Sequence, residues 1–171
     1  QKKTALLVSS QAHYCIDRSA RVMGWGAVGV VKVPVKRDFS MDVLQLEATL
    51  EAAKADGLEV IAVVGSACST ATGTFDNLEE IGLFCRRHGL WFHVDGSHGA
   101  ASVYSKEFGD RVKGLHLADS VVMDFHKLLM TPALATAVVF KEGRWAAENF
   151  AQTAEYLWGD ANHVDEWHDL A

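Results

Sequence analysis

Prolines number only two in 171 residues, and no Pro-, Gly- or Ser-rich linker, internal repeat or low-complexity tract interrupts the chain. Tethered modules are thereby excluded, and no domain boundary is expected before about residue 141, leaving 142–171 as a tail. No apolar run approaches the ~20 residues a membrane helix requires. The Gln-Lys-Lys start leads into a short strand pattern rather than the apolar stretch of a secretory signal. The expectation is a soluble, cytosolic protein. Cysteine is scarce: Cys15, Cys68 and Cys85 are an odd number without metal-ligand spacing, so reduced structural thiols are expected rather than disulfides or a metal centre. Basic clusters are missing as well. With a formal charge of −6, neither nucleic acid nor an anionic membrane is the expected main partner, although a local site could still hold an anionic small molecule.

What the chain has is apolar residue, at 49% enough for a substantial core in a domain of this length. Strand-length apolar runs alternate with helix-period segments, the pattern of an α/β protein with a mostly parallel sheet. Ala5 to Val8 reads as a strand, and a helix carrying Ile16, Ala20 and Met23 follows, then a strand from Val28 to Val35. A helix with Val43, Leu46, Leu50 and Ala53 on one face ends at Gly57, before the strand from Glu59 to Ala67. Asp76, with Glu79 three residues on, is the expected cap of the next helix, which Gly89 closes. "LWFHVD", "SVVMD" and "TAVVFK" complete the strands. The tail is aromatic-rich and ends without a capping signal, as if cut; its Trp145, Tyr156, Trp158 and Trp167 suit either a neighbouring surface or an ordinary core. "GWGAVG" satisfies G-x-G-x-x-G, yet a helix precedes it and a strand follows, the reverse of the dinucleotide fingerprint, so its glycines are read as turn residues.

Ligands of open α/β sheets sit at the carboxyl ends of strands. Four strand ends here carry reactive groups: Ser9-Ser10 with His13, "GSACSTATG", "HVDGSHG" and "DFHK". Asp95 follows "WFHV" directly, so burial is expected, and a buried carboxylate needs a cationic or hydrogen-bonding partner. Lys127 lies among Phe125, Leu128 and Leu129. A desolvated lysine loses its proton more readily, as Schiff-base chemistry requires.

The succession "SSQAHYCIDRSARVMGWG", "STATGTFDNLEEI", "GLWFHVDGSHGAA" and "ADSVVMDFHKLL" resembles the pyridoxal-phosphate-dependent amino-acid decarboxylases, the group containing aromatic-amino-acid, glutamate and diaminobutyrate decarboxylases. The resemblance implies the large domain of fold type I, the aspartate-aminotransferase-like three-layer αβα architecture, with 1–141 as its central part and 142–171 leading toward a small C-terminal domain. It implies that Lys127 forms the internal aldimine with pyridoxal 5'-phosphate and that Asp95 keeps the pyridine nitrogen protonated, making the ring an electron sink. His13 matches the histidine that stacks on the ring, and Thr70 a threonine lining the cofactor site, with Ser66, Ser69 and Thr72 as neighbours. Ser97 falls at a small residue beneath the ring, and His126 at a histidine near phosphate and substrate. Where many members have Asn-Pro before His-Lys, this chain has Asp124-Phe125. An acid beside a phosphate is unfavourable unless neutralised or turned away, which sets Asp124 apart as a phosphate ligand. The phosphate-gripping loop, the mobile loop bearing a tyrosine that protonates the product carbon, and the small domain are expected outside 1–171.

The implied reaction is decarboxylation of an L-amino acid to an amine and carbon dioxide, in a homodimer with active sites at the subunit boundary. Two alternatives stand beside it. An aminotransferase or carbon-carbon lyase of the same fold would share the lysine and aspartate but release no carbon dioxide. A non-catalytic α/β scaffold would use the same residues as caps and buried pairs, and its Lys127 would not react with the cofactor.

Overall fold

The computed structural model describes residues 3–151. The chain divides into two compact units, Gln1–Val139 and Phe140–Ala171. The first is built on a sheet of six strands, β1 (Lys3–Ser9), β2 (Val30–Val33), β3 (Leu58–Ser66), β4 (Trp91–Asp95), β5 (Ser120–Asp124) and β6 (Thr136–Phe140). Their order is β2-β1-β3-β4-β5-β6, and the pairs β1–β2, β1–β3, β3–β4 and β4–β5 are all parallel. Parallel pairing buries both faces, so β3 ends in five consecutive buried residues where a one-sided strand would alternate.

Helices α1 (Cys15–Val22), α2 (Leu46–Ala55) and α3 (Leu78–His88) connect these strands. Leu46, Leu50 and Ala53 recur at helical spacing and are buried, which places one stripe of α2 in the core. Leu78, Ile81, Phe84 and Cys85 do the same for α3 and meet Val63, Phe92 and Val94 of the sheet. Each Leu, Ile or Phe side chain so enclosed contributes about 1.5–3 kcal/mol. Glu79 and Glu80 stand in the first turn of α3 and Arg86, Arg87 and His88 in its last, matching the helix dipole at both ends. Gly89 ends it at φ 64°, a left-handed conformation that a side chain would disfavour. In the second unit, α4 (Gly143–Phe150) follows Phe140, whose ring centroid lies 6.0 Å from that of Phe150.

Several expectations need correction. The strand expected from Val28 to Val35 is ladder-paired only over Val30–Val33, because Ala27–Gly29 coils into a 3-10 turn and Pro34 lacks a ladder donor. Asp76 does not cap α3. Asn77 does, accepting from the Glu80 N–H at 3.2 Å, while Asp76 is buried and accepts from Met41 N–H at 2.6 Å and Ser66 N–H at 2.8 Å. It thus pins the loop after β2 to the end of β3. "GWGAVG" lies between α1 and β2, with Gly24 and Gly26 at positive φ, and is turn as expected. Tyr156, Trp158 and Trp167 lie outside the described residues.

The connections decide where a ligand can sit. From β1 the chain passes to β2 on one side, then returns across β1 to β3 on the other. That reversal opens a crevice between the loops following β1 and β3, the usual ligand position in such sheets.

Candidate active site

The two crevice loops are joined directly. Ser69 Oγ, buried in the loop after β3, donates to the Gln11 carbonyl in the loop after β1 at 3.1 Å. Ser9 closes β1 with its Oγ accepting from Gln11 N–H at 3.1 Å. His13 stands at the entry to α1; its Nδ1 accepts from Cys15 N–H at 3.3 Å, and its ring lies 4.1 Å from that of Tyr14. Beyond β3, Ala67 is clasped from two sides, its N–H donating to the Asp95 carbonyl at 2.8 Å and its carbonyl accepting from Gly99 N–H at 2.7 Å. Gly99 is required there: a Cβ would stand 2.7 Å from the Ala67 carbonyl. Thr70 is exposed in the turn that follows.

Asp95 closes β4. Its Oδ1 accepts from Ser97 Oγ at 2.7 Å and Ser97 N–H at 3.3 Å, and the Ser97 carbonyl accepts from Asp124 N–H at 3.1 Å. The turn carrying Asp95 is therefore hydrogen-bonded to the end of β5. There Lys127 Nζ lies 2.8 Å from Asp124 Oδ2, Thr136 Oγ1 donates to Asp124 Oδ1 at 2.6 Å, and His126 Nε2 stands 3.8 Å from Oδ2. Burial would raise the Asp124 carboxyl, but the hydrogen bonds from Lys127 and Thr136, aided by the charges of Lys127 and His126, hold it below the usual carboxylate range.

Two thiols tie these strand ends into one site. Burial pushes both Cys15 and Cys68 up; the negative charge of Asp95 adds to this for each, and the positive charge of Lys127 opposes it. Asp95 and Lys127 therefore act on the same two side chains, Cys15 at the first residue of α1 and Cys68 in the loop after β3. The structure thus brings His13, Asp95, Ser97, Asp124, His126 and Lys127 to the carboxyl end of the sheet. Two expectations about them change. Asp95 is half-buried rather than buried, and the Lys127 side chain is 37% exposed, with Leu128 and Leu129 exposed beside it. An ion pair, not an apolar shell, surrounds the amine.

Sequence reasoning passed over Cys15, Cys68 and Thr136 as parts of this site, and also His93. Trp91, His93 and Asp95 alternate along β4 and so share a face, a signal that was legible. Ser120 Oγ accepts from Trp91 Nε1 at 2.9 Å and lies 2.8 Å from His93 Nδ1. Burial lowers the His93 pKa, against the pull of Asp95. Thr136 had no such signal, being twelve residues from its partner Asp124 and on another strand.

The family model described as the pyridoxal-dependent decarboxylase conserved domain matches residues 1–169. The chain belongs to this family. Among the chain's curated relatives, a glutamate decarboxylase-like protein of Gibberella zeae is 36% identical over 158 residues, covering 91% of this chain and 30% of its own length. An aspartate 1-decarboxylase of Aliivibrio fischeri is 37% identical over 153 residues, 90% of this chain and 28% of that protein. Among solved structures, mouse CSAD in apo form superposes with a TM-score of 0.87 at 29% identity, covering 95% of this chain and 34% of that one. The glutamate decarboxylase domain of a Vibrio parahaemolyticus protein gives 0.81 at 33% identity, with 85% and 31% covered. The chain thus spans about a third of the length of the curated relatives it matches.

Proposed function

We propose that the whole protein decarboxylates an L-amino acid to the amine and carbon dioxide with pyridoxal 5'-phosphate, and that Lys127 is the residue to which the cofactor is attached. The observation that carries this reading is the placement of Asp95 and Lys127: Asp95 closes β4, Lys127 stands in the turn just beyond Asp124 at the end of the neighbouring parallel strand β5, and both act on Cys15 and Cys68. A carboxylate and an amine so placed fit the two ends of the cofactor: the carboxylate would face its ring nitrogen and the amine would hold its aldehyde end. When bound, the cofactor supplies an electron sink for the pair released as the carboxylate leaves.

The chain's own residues then divide the work. Ser97 fixes one oxygen of Asp95 at 2.7 Å, leaving the other oxygen to face a ring N–H. A carboxylate half-withdrawn from water holds such a proton more firmly than an exposed one. His13, on the β1 loop, supplies a flat ring to stack on the cofactor face, and Thr70 lines the same crevice from the β3 loop. His126, anchored through Nδ1 at Ala135, stands beside Lys127 where phosphate and substrate carboxylate would approach. Carbon dioxide release is what the names of the relatives favour over an aminotransferase or carbon-carbon lyase. A homodimer in the cytoplasm is the assembly and compartment proposed for it.

The test is to mix the protein with pyridoxal phosphate, reduce with borohydride and map the modified lysine by mass spectrometry. A label on Lys127 that vanishes in Lys127→Ala is expected, together with carbon dioxide release from one member of an amino-acid panel. Absence of any selective Lys127 label in the full-length protein would overturn the cofactor reading.

A further inference from the structure

We infer that Asp124 acts on Lys127 rather than on a phosphate, holding the lysine as an ion pair while the site lacks cofactor, and that release of this pair limits how fast cofactor is captured. The geometry assigns this task. Asp124 Oδ2 lies 2.8 Å from Lys127 Nζ, and its other oxygen is occupied at 2.6 Å by Thr136 Oγ1. The carboxylate cannot swing away freely, since Thr136 fixes one oxygen and its own backbone N–H is held by the Ser97 carbonyl at 3.1 Å. Its side chain is only 12% exposed, so water competes little for it. Among the described residues, the other charged and titratable groups of the locality include His126, 3.8 Å from the same oxygen, and Asp95, Cys15 and Cys68 across the site.

Capture forms a C=N bond between Lys127 Nζ and the aldehyde carbon. Nζ must first lose one proton to become a nucleophile, and the aldehyde oxygen departs as water. Counted from the ammonium, two of its three protons leave with that oxygen and the third remains on nitrogen, so no oxidant or reductant is involved. Every part of this sequence requires Nζ to leave its position against Asp124. This inference rests on the proposed role of Lys127, and its test is arranged so that the two can fail separately.

The experiment follows capture by stopped-flow absorbance in the full-length protein, using pyridoxal phosphate and, in parallel, pyridoxal, which lacks the phosphate. Asp124→Asn keeps the shape and the contact with Thr136 but removes the charge. Roughly three- to tenfold faster capture of both aldehydes is expected, the factor carried by a partly exposed, charge-assisted pair. Thr136→Val, which frees Asp124 to turn, should give a smaller gain, and the double variant should be no faster than Asp124→Asn alone. Acceleration confined to pyridoxal phosphate would place the carboxylate's effect on the phosphate and overturn the inference, as would unchanged rates. Competitive acetylation of Lys127 gives a readout independent of the cofactor. Faster labelling in Asp124→Asn supports the held lysine even if neither aldehyde is captured, in which case the cofactor reading alone falls; equal labelling overturns the inference.

Discussion

Replacing Asp76 with alanine tests a buried carboxylate that joins two distant stretches of backbone. The Asp76 carboxylate receives two backbone donors, Met41 N–H at 2.6 Å and Ser66 N–H at 2.8 Å, and both donor residues are buried. Asp76→Ala removes both acceptors in a place water does not reach. Each stranded N–H costs about 1–3 kcal/mol, so the pair costs about 2–6 kcal/mol. Burial raises the Asp76 pKa in spite of those donors, which means its charge is held at some expense that alanine recovers. A net loss of about 3 kcal/mol is therefore expected, a large share of the 5–15 kcal/mol typical of a domain. For a chain of this size it corresponds to a fall of about 6–12 °C in melting temperature. Thermal and urea unfolding of the native protein, Asp76→Ala and Asp76→Asn provide the assay. Asparagine keeps one carbonyl acceptor and should lose about half as much. An alanine variant melting within about 2 °C of the native protein would refute the reasoning, because two stranded donors cannot cost so little.

Three further predictions follow from the same geometry. Burial depresses the His93 pKa below its ordinary 6.5, so the unfolded chain takes up a proton that the folded one resists. The stability tied to His93 is fully present above that ordinary value and is lost as pH falls through the depressed one, at up to about 1.4 kcal/mol per pH unit; urea midpoints should show a loss that His93→Gln lacks. Burial, with the charge of Asp119 adding to it, pushes the Cys85 thiol up to about 12. Only on the order of one Cys85 in 10⁵ is thiolate at neutral pH, so iodoacetamide followed by mass spectrometry should label it only after denaturation. Gly99→Ala would drive a Cβ into the Ala67 backbone at 2.7 Å; a loss of about 1–3 kcal/mol in urea unfolding is expected, with weaker cofactor binding because the displaced loop carries Cys68 to Thr70.

Much of the architecture was legible because it is written locally. "SVVMD" is β5 residue for residue, "LWFHVD" holds β4 from its second residue on, and Gly89 ends α3 as its position implied. Apolar period, strand length and a terminal glycine act over a few residues, so a linear reading contains them. The site's motifs were legible for a related reason: in a parallel sheet the residue following each apolar run lies at the same edge, so Asp95 and Asp124 had to fall near one another if β4 and β5 were neighbours.

The sequence by itself determined the α/β alternation and pointed to the carboxyl strand ends as the place for chemistry, with Asp95, Lys127 and His13 as its candidate groups. Only the tertiary structure decided the strand order β2-β1-β3-β4-β5-β6 and with it the crevice between the β1 and β3 loops. It turned Asp76 from a helix cap into a buried acceptor spanning 35 residues, and made Thr136 the partner of Asp124 and Asp124 the partner of Lys127. The physical reason is range. Side-chain chemistry and periodicity belong to the residue and its near neighbours, whereas a hydrogen-bond partner, a degree of burial and a neighbouring charge belong to whatever the folded chain brings within a few ångströms.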